Sequence, residues 1–242
     1  MNTYKPILNT LAILLAVVFS SSVMAVPKLQ LGPGSASDPN WTYDTTDETW
    51  IYSGTTNNAT LAAYALDGAF QSLPRTAYLS VAATPKTSDA TDVFDITVKN
   101  NGVSLSMFES GHGAPPISDS NLLDNDHHDL SSHGIFDTYF EVYAFTFDES
   151  FSHIPNTEDG SPSHSDGWRE LFNISVNSVD PAVTGLHFDL YTLKSDNNVY
   201  KFAPYSHDAG MDIPEPTPLV LSGLGLILAA LFRVRRASAR TV

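Results

Sequence analysis

The chain has 242 residues, 27 acidic against 12 basic side chains, a formal net charge of −15 at pH 7, and no cysteine. So acidic a surface repels nucleic acid and anionic lipid, and the missing cysteines exclude disulfides and thiol chemistry. Hydrophobic residues make up 42% of the chain and aromatics 11%, which excludes a wholly disordered chain and leaves apolar material for a core.

Residues 1–25 read as a secretory signal peptide. Lys5 opens it, Leu8 to Phe19 is largely apolar, and Val23-Met24-Ala25 is a small-residue cleavage site. Cleavage between Ala25 and Val26 starts the mature chain at Val26. Residues 26–213 then form one domain carrying 26 acids and seven bases, a net charge of −19. Without disulfides, such a domain is held by its core, by a metal, or by both.

Within it, short segments of period 2 follow one another with turn residues between. Val26–Leu31 alternates and predicts a first strand, ended by Gly32-Pro33-Gly34; Ser35–Glu48 reads as loop. Trp50–Tyr52 and Thr60–Leu66 flank a polar turn, with a short helix over Leu61–Leu66 as the alternative for the second. In Thr76–Ala83, Leu79, Val81 and Ala83 face one way and Tyr78, Ser80 and Ala82 the other. Val93–Lys99 alternates more cleanly, and Asn100-Asn101-Gly102 followed by Val103–Met107 is the best hairpin signal in the chain. Glu109–Gly134 loses the pattern and predicts a long loop, with Leu122–Leu130 as a second place for a short helix. Tyr139–Phe147, aromatic on both faces, predicts a strand buried on both sides. After a polar loop at Asp148–Gly167, the segments Phe172–Val176, Leu186–Leu190 and Val199–Phe202 close the domain. Few segments carry helical periodicity, so the expected fold is all-β: a single antiparallel β-sandwich or jelly-roll-like domain.

Candidate sites are few. Asp124-Asn125-Asp126-His127-His128-Asp129 offers three carboxylates in six residues. Calcium takes oxygens from alternating loop positions, so Asp124, Asp126 and Asp129 are its candidate ligands. The histidines, with His112 and His133, suit zinc or copper instead, and a solvated acidic loop accounts for the same residues. Trp41, Trp50 and Trp168 are candidates for stacking on sugars, against the ordinary role of tryptophan in a β core. Ser206, His207 and Asp208 are adjacent, so they cannot form a triad among themselves. No nucleophile-elbow motif is present. No catalytic residue is assigned and no enzyme activity is expected; a secreted hydrolase using His133, His207 or Asp208 is the weakest alternative.

Residues 214–242 form the last unit. Pro214-Glu215-Pro216 cannot enter a helix interior or a sheet ladder. Leu219–Phe232 is an uncharged run of 14 residues, about 21 Å long as a helix, shorter than the ~20 residues of a comfortable membrane span. Arg233, Arg235 and Arg236 follow, and the positive-inside rule holds them in the cytoplasm with the preceding domain exported. In order, spacing and position this tail resembles a PEP-CTERM sorting signal. The resemblance implies a Gram-negative bacterium and an exosortase-type processing enzyme. It also implies a transient stay in the inner membrane through the C-terminal helix, then the cell surface or the extracellular matrix of a biofilm. An uncut single-pass anchor is the alternative.

Three further segments carry a second resemblance. Val26–Leu31, Ser131-Ser132-His133-Gly134-Ile135-Phe136-Asp137-Thr138-Tyr139-Phe140-Glu141 and Phe202-Ala203-Pro204-Tyr205-Ser206-His207-Asp208-Ala209 are similar to motifs of the choice-of-anchor N proteins. That family implies surface display and brings no enzymatic activity. The expectation is therefore an exported structural or adhesive protein, calcium its expected cofactor if it has one. The alternative is a carbohydrate-binding module for exopolysaccharide.

Overall fold

Alternating side chains can bury one face of each strand, and the described part of the chain is built from such strands. The computed structural model describes residues 27–46, 49–85, 87, 93–113, 138–157, 165–203 and 208–214. Among these residues there is no helix. The strands are β1 (Leu29–Pro33), β2 (Trp41–Asp44), β3 (Thr49–Tyr52), β4 (Asn58–Leu66), β5 (Thr76–Thr84), β6 (Phe94–Asn100) and β7 (Val103–Ser104). They continue with β8 (Met107–Gly113), β9 (Thr138–Thr146), β10 (Ser150–Phe151), β11 (Gly167–Val179), β12 (Gly185–Leu193), β13 (Val199–Phe202) and β14 (Ala209–Asp212).

They form two sheets. The 6-stranded sheet runs β1-β4-β11-β6-β7, with β10 added beside β11; the 8-stranded sheet runs β2-β3-β14-β12-β5-β9-β8, with β13 added beside β12. One apolar cluster draws on both sheets. Leu29, Leu31, Leu61, Phe172 and Ile174 come from the first, and Leu79, Val81, Tyr143, Phe188 and Leu190 from the second. Removing a fully buried ring such as Phe172 or Phe188 costs about 3–5 kcal/mol.

The alternation of β6 and of Leu186–Leu190 in β12 matches the burial, whereas in β5 the two faces are as predicted but Ser80 and Ala82 on the second face are buried as well. Phe94, Ile96 and Val98 of β6 are buried, while Asp95 and Lys99 are exposed. In β9, Tyr139, Tyr143 and Phe145 join the shared core, and Phe140 and Val142 join a second cluster with Ala82 and Tyr191. That strand is buried on both sides, as its aromatic content predicts. The Asn101-Gly102 turn adopts φ values of 47° and 82°, the left-handed conformation that a tight hairpin requires and these residues tolerate.

Elsewhere the structure departs from the sequence pattern. Thr60–Leu66 is strand, as its leading reading has it, and only the alternative helix over Leu61–Leu66 falls. The Ser35–Glu48 loop contains β2, paired with β3 through Trp41↔Tyr52 and Thr42↔Ile51. The pattern lost after Glu109 still yields β8, because β9 supplies a full antiparallel partner from Met107↔Tyr143 to Gly113↔Thr138, with a bulge between Met107 and Glu109. The hairpin after Gly102 has a second strand of only two residues, β7, before the chain moves to β8 in the other sheet. Nor is the pairing wholly antiparallel: β14 runs parallel to β3, with Ala209↔Trp50 and Met211↔Tyr52.

Two features of this framework position side chains used below. The first is on the edge of β12. β13 and β14 lie along that same edge, one after the other: Ala203 N–H reaches the Leu190 carbonyl at 2.8 Å, and Ala209 pairs with Phe188. Asp189 lies between these two attachments, and Asp208 immediately precedes the second. The second is on the outer face of the 6-stranded sheet. There Ile154 packs with Ala62, Tyr64 and Leu66, and Thr157 donates N–H to Gln30 Oε1 at 2.9 Å.

Candidate functional site

Successive residues of a strand point to opposite faces, so Leu186, Phe188 and Leu190 enter the core while His187 and Asp189 share the other face of β12. On the neighbouring β5, Ala82 lies opposite His187 and Ser80 opposite Asp189. On the other edge the chain re-enters the sheet at Asp208, one residue before β14. The Asp208 carbonyl accepts the Trp50 N–H at 3.4 Å, and the Thr49 hydroxyl bonds its carboxylate. Three polar groups thus converge from two adjacent strands.

His187 Nε2 lies 3.1 Å from Asp189 Oδ1 and 3.5 Å from Asp208 Oδ2. The side chains of His187 and Asp189 are 17% and 15% exposed, and that of Asp208 only 1%. Among the described residues this is the one group of three or more His, Cys, Asp or Glu side chains close enough to share an ion, all three ligand atoms lying within 4.8 Å of one another. Burial pushes the His187 imidazolium toward losing its proton, but Asp189 and Asp208 outweigh it and hold the group up at about 9. Burial pushes the Asp208 carboxyl up to about 8; His187 opposes that shift and Asp189 adds to it. The arrangement holds protons tightly, and it gathers two carboxylates around one imidazole. Ser80 is fully buried on the same face, and its Oγ has no hydrogen-bond partner.

A second buried carboxylate is of another kind. Glu141 points into the core from β9 and is 7% exposed. Its two oxygens accept the hydroxyls of Tyr139, at 3.1 Å, and of Tyr143. Burial, then Glu141 itself, pushes the Tyr143 phenol well above its ordinary value. Phenols and carboxylate close on one another and leave no opening.

The residues singled out from the sequence are scattered. Trp41 is 6% exposed and meets Tyr52 edge-on. Trp50 packs against the core and donates Nε1–H to the Thr157 carbonyl at 2.6 Å. Trp168 lies under the Arg75 guanidinium, 4.1 Å from its centroid, with Phe70 at its edge. All three tryptophans are thus part of the core or packed on it, and their contacts come from this chain. Asp124, Asp126, Asp129, His133 and His207 lie outside the described residues, as do Ala25, Val26, Glu215, Pro216, Arg233, Arg235 and Arg236. Among the described residues no helix is long and apolar enough to cross a membrane; the Leu219–Phe232 run lies outside them. Pro214 is described and exposed. Asp208 is the one suspected residue found in the His187 cluster; its partners His187 and Asp189 were legible only as alternate residues of a strand.

The open aromatic surface lies elsewhere. Tyr78 stacks on Tyr191 with centroids 5.2 Å apart, and Phe108, 58% exposed, meets Tyr78 edge-on. Beside them a shallow groove of about 200 Å³ is lined by Gln71, Ser72, Thr76, Lys194 and Asn197 among others.

Compared with protein-family models and with curated proteins, the chain matches none.

Proposed function

We propose that this chain is an exported bacterial surface or extracellular-matrix protein of non-enzymatic, structural or adhesive role. Its domain is a β-sandwich of jelly-roll type, delivered by the signal peptide at residues 1–25. It is sorted by an exosortase-type enzyme acting on a PEP-CTERM signal at residues 214–242, and it falls with the choice-of-anchor N proteins. The observation that carries this proposal is where the domain ends. Met211 is buried in β14, Ile213 N–H still bonds the Thr184 carbonyl at 2.9 Å, and Pro214 stands exposed immediately after. The tripeptide therefore begins at an exposed residue immediately after the last described strand, where a processing enzyme can reach it. The acidic surface suits a solvated position outside the cell.

Intact-mass measurement and C-terminal peptide mapping of the protein from its native host test this. A mature form ending between Pro214 and Thr217 is expected. A form that retains Arg233 to Val242 makes the tail a plain anchor and removes the matrix role.

A second role is favoured by the exposed Phe108 and the half-buried Tyr78, which is backed by buried Tyr191: binding of exopolysaccharide. Sugars stack on open aromatic faces beside hydrogen-bonding side chains, and Gln71, Ser72, Asn197 and Lys194 supply those in the adjoining groove. Retention on a polysaccharide affinity gel is expected to fall in Phe108→Ala and Tyr78→Ala and to persist in Trp168→Phe. Equal retention of all three variants excludes this surface.

A further inference from the structure

We propose that His187, Asp189 and Asp208 form a binding site for one divalent transition-metal ion of the zinc class. The site is separate from the acidic loop at Asp124 to Asp129 and independent of how the tail is processed.

The donor set is the first reason. One imidazole nitrogen and two carboxylates suit zinc or a neighbouring first-row ion, whereas calcium requires six to eight oxygens and does not favour nitrogen. Spacing is the second. Zinc bonds nitrogen and oxygen at about 2.0–2.2 Å, so two ligands of a tetrahedral ion lie roughly 3.3–3.6 Å apart. The His187 nitrogen stands 3.1 and 3.5 Å from the two carboxylate oxygens, and all three ligand atoms lie within 4.8 Å of one another, so the carboxylates close on an ion by side-chain adjustment. Rigidity is the third. His187 is fixed on β12 by pairing on both edges, and Asp189 by its pairing with Ser80 of β5. Asp208 is anchored by its carbonyl to Trp50 N–H and by its carboxylate to the Thr49 hydroxyl. Such supporting bonds orient metal ligands.

The fourth reason does not depend on the trio itself. Ser80 is fully buried, its Oγ lacks a partner, and it stands directly opposite Asp189 on the shared face. A buried hydroxyl without a hydrogen bond costs about 1–3 kcal/mol. With three protein ligands in place, zinc keeps a fourth position for water. A water bound there gives the Ser80 hydroxyl the partner it otherwise lacks. The charge also balances: a divalent cation neutralises two buried carboxylates, a task that falls to protons when the metal is absent.

The test uses the full chain, purified in chelator-treated buffer and titrated with zinc chloride by calorimetry, with melting followed in parallel. One zinc ion per chain at micromolar affinity or tighter is expected, together with a higher melting temperature. In Asp189→Asn, which preserves shape, and in His187→Gln, affinity is expected to fall at least tenfold, with the circular dichroism spectrum unchanged. The triple variant Asp124→Asn, Asp126→Asn, Asp129→Asn is expected to bind as the parent does. Cobalt chloride on the parent chain supplies a readout that needs no variant: intense visible absorption bands report a four-coordinate nitrogen-and-oxygen site. The proposal is overturned by the absence of saturable zinc binding, by binding that survives in both Asp189→Asn and His187→Gln, or by binding lost in the triple variant instead. Weak, octahedral-type cobalt bands or a preference for calcium over zinc also overturn it.

Discussion

Two buried acidic sites lie on opposite faces of the same sheet and solve burial differently. Glu141, facing the core, meets two phenol donors from its own strand, one for each carboxylate oxygen. Around His187 the ratio is reversed: two carboxylates share one imidazole, and a buried serine hydroxyl nearby has no partner at all. The first site is complete with protein atoms alone. At the second, two carboxylates face a single imidazole, with the Thr49 hydroxyl on Asp208 as a further donor. Burial of a carboxylate is therefore a poor sign of function; the match of donors to acceptors around it is the informative quantity.

The largest effect expected from breaking this contrast is at the closed site. Glu141→Ala orphans two buried hydroxyls at roughly 1–3 kcal/mol each and opens a cavity, so a loss of about 3–5 kcal/mol is expected in urea unfolding. Glu141→Gln, which keeps an acceptor oxygen, is expected to lose clearly less.

Next in size is a pH effect at the open site. His187 holds its proton to about 9 in the folded chain against an ordinary value of 6.5, because Asp189 and Asp208 face it. A raised value means that its contribution to stability is complete below pH 6.5 and disappears as pH climbs through 9. Asp208, held up to about 8 mainly by burial, adds a loss in the same direction as pH rises above the ordinary carboxylate range. In chelator-treated buffer the melting temperature is expected to fall by several degrees between pH 6.5 and 9.5. In His187→Gln the part of the slope due to the imidazole is expected to vanish, and in His187→Gln, Asp208→Asn the profile is expected to be flat. A flat profile in the parent chain contradicts the assignment.

Smaller still is Tyr143→Phe, which removes one of the two phenol donors from Glu141 and is expected to cost about 1–3 kcal/mol. The smallest effect separates the two sites most sharply. Ser80→Ala deletes a hydroxyl that bonds nothing, so without metal it is expected to be neutral or to stabilise by less than about 1 kcal/mol, measured by thermal melting. A large destabilisation there would mean that the hydroxyl already has a partner.

Much of the strand framework was legible in the sequence. The alternation of β5, β6 and β12 assigned faces correctly, and the aromatic run of β9 announced burial on both sides. The Asn101-Gly102 turn stood where its chemistry places it. What stayed hidden was structure created by partners. β2 is four residues long within a polar stretch and β8 bears glycines, and they are strands because β3 and β9 offer them a ladder. Ala209-Gly210-Met211-Asp212 carries almost no pattern, yet β12 on one side and β3 on the other make it a central strand.

The His187 cluster was illegible for the same reason. Within Leu186–Leu190 the pattern apolar, His, apolar, Asp, apolar is that of a half-solvated strand, which predicts His187 and Asp189 in water. Asp208, 19 residues on from Asp189, returns beside them because it immediately precedes β14, which pairs with β12 through Ala209↔Phe188. No local signal encodes that return. The tryptophans show the converse: their residue type suggested an open surface, and packing with Tyr52, Phe70 and the core absorbed them.

The parallel pairing of β14 with β3 has a consequence for the order of events as the chain is made. β2 and β3 join the 8-stranded sheet only through β14, which consists of residues 209–212. A ribosome releases β3 about 160 residues before the strand that will hold it. Until then Trp41, Tyr52 and the rest of that hairpin have no ladder to join, and closing so long a loop is an entropic cost met only at the end. The last described strand thus fastens the earliest described part of this sheet, and a nascent chain halted before Ala209 carries a stranded hairpin instead of a finished sheet.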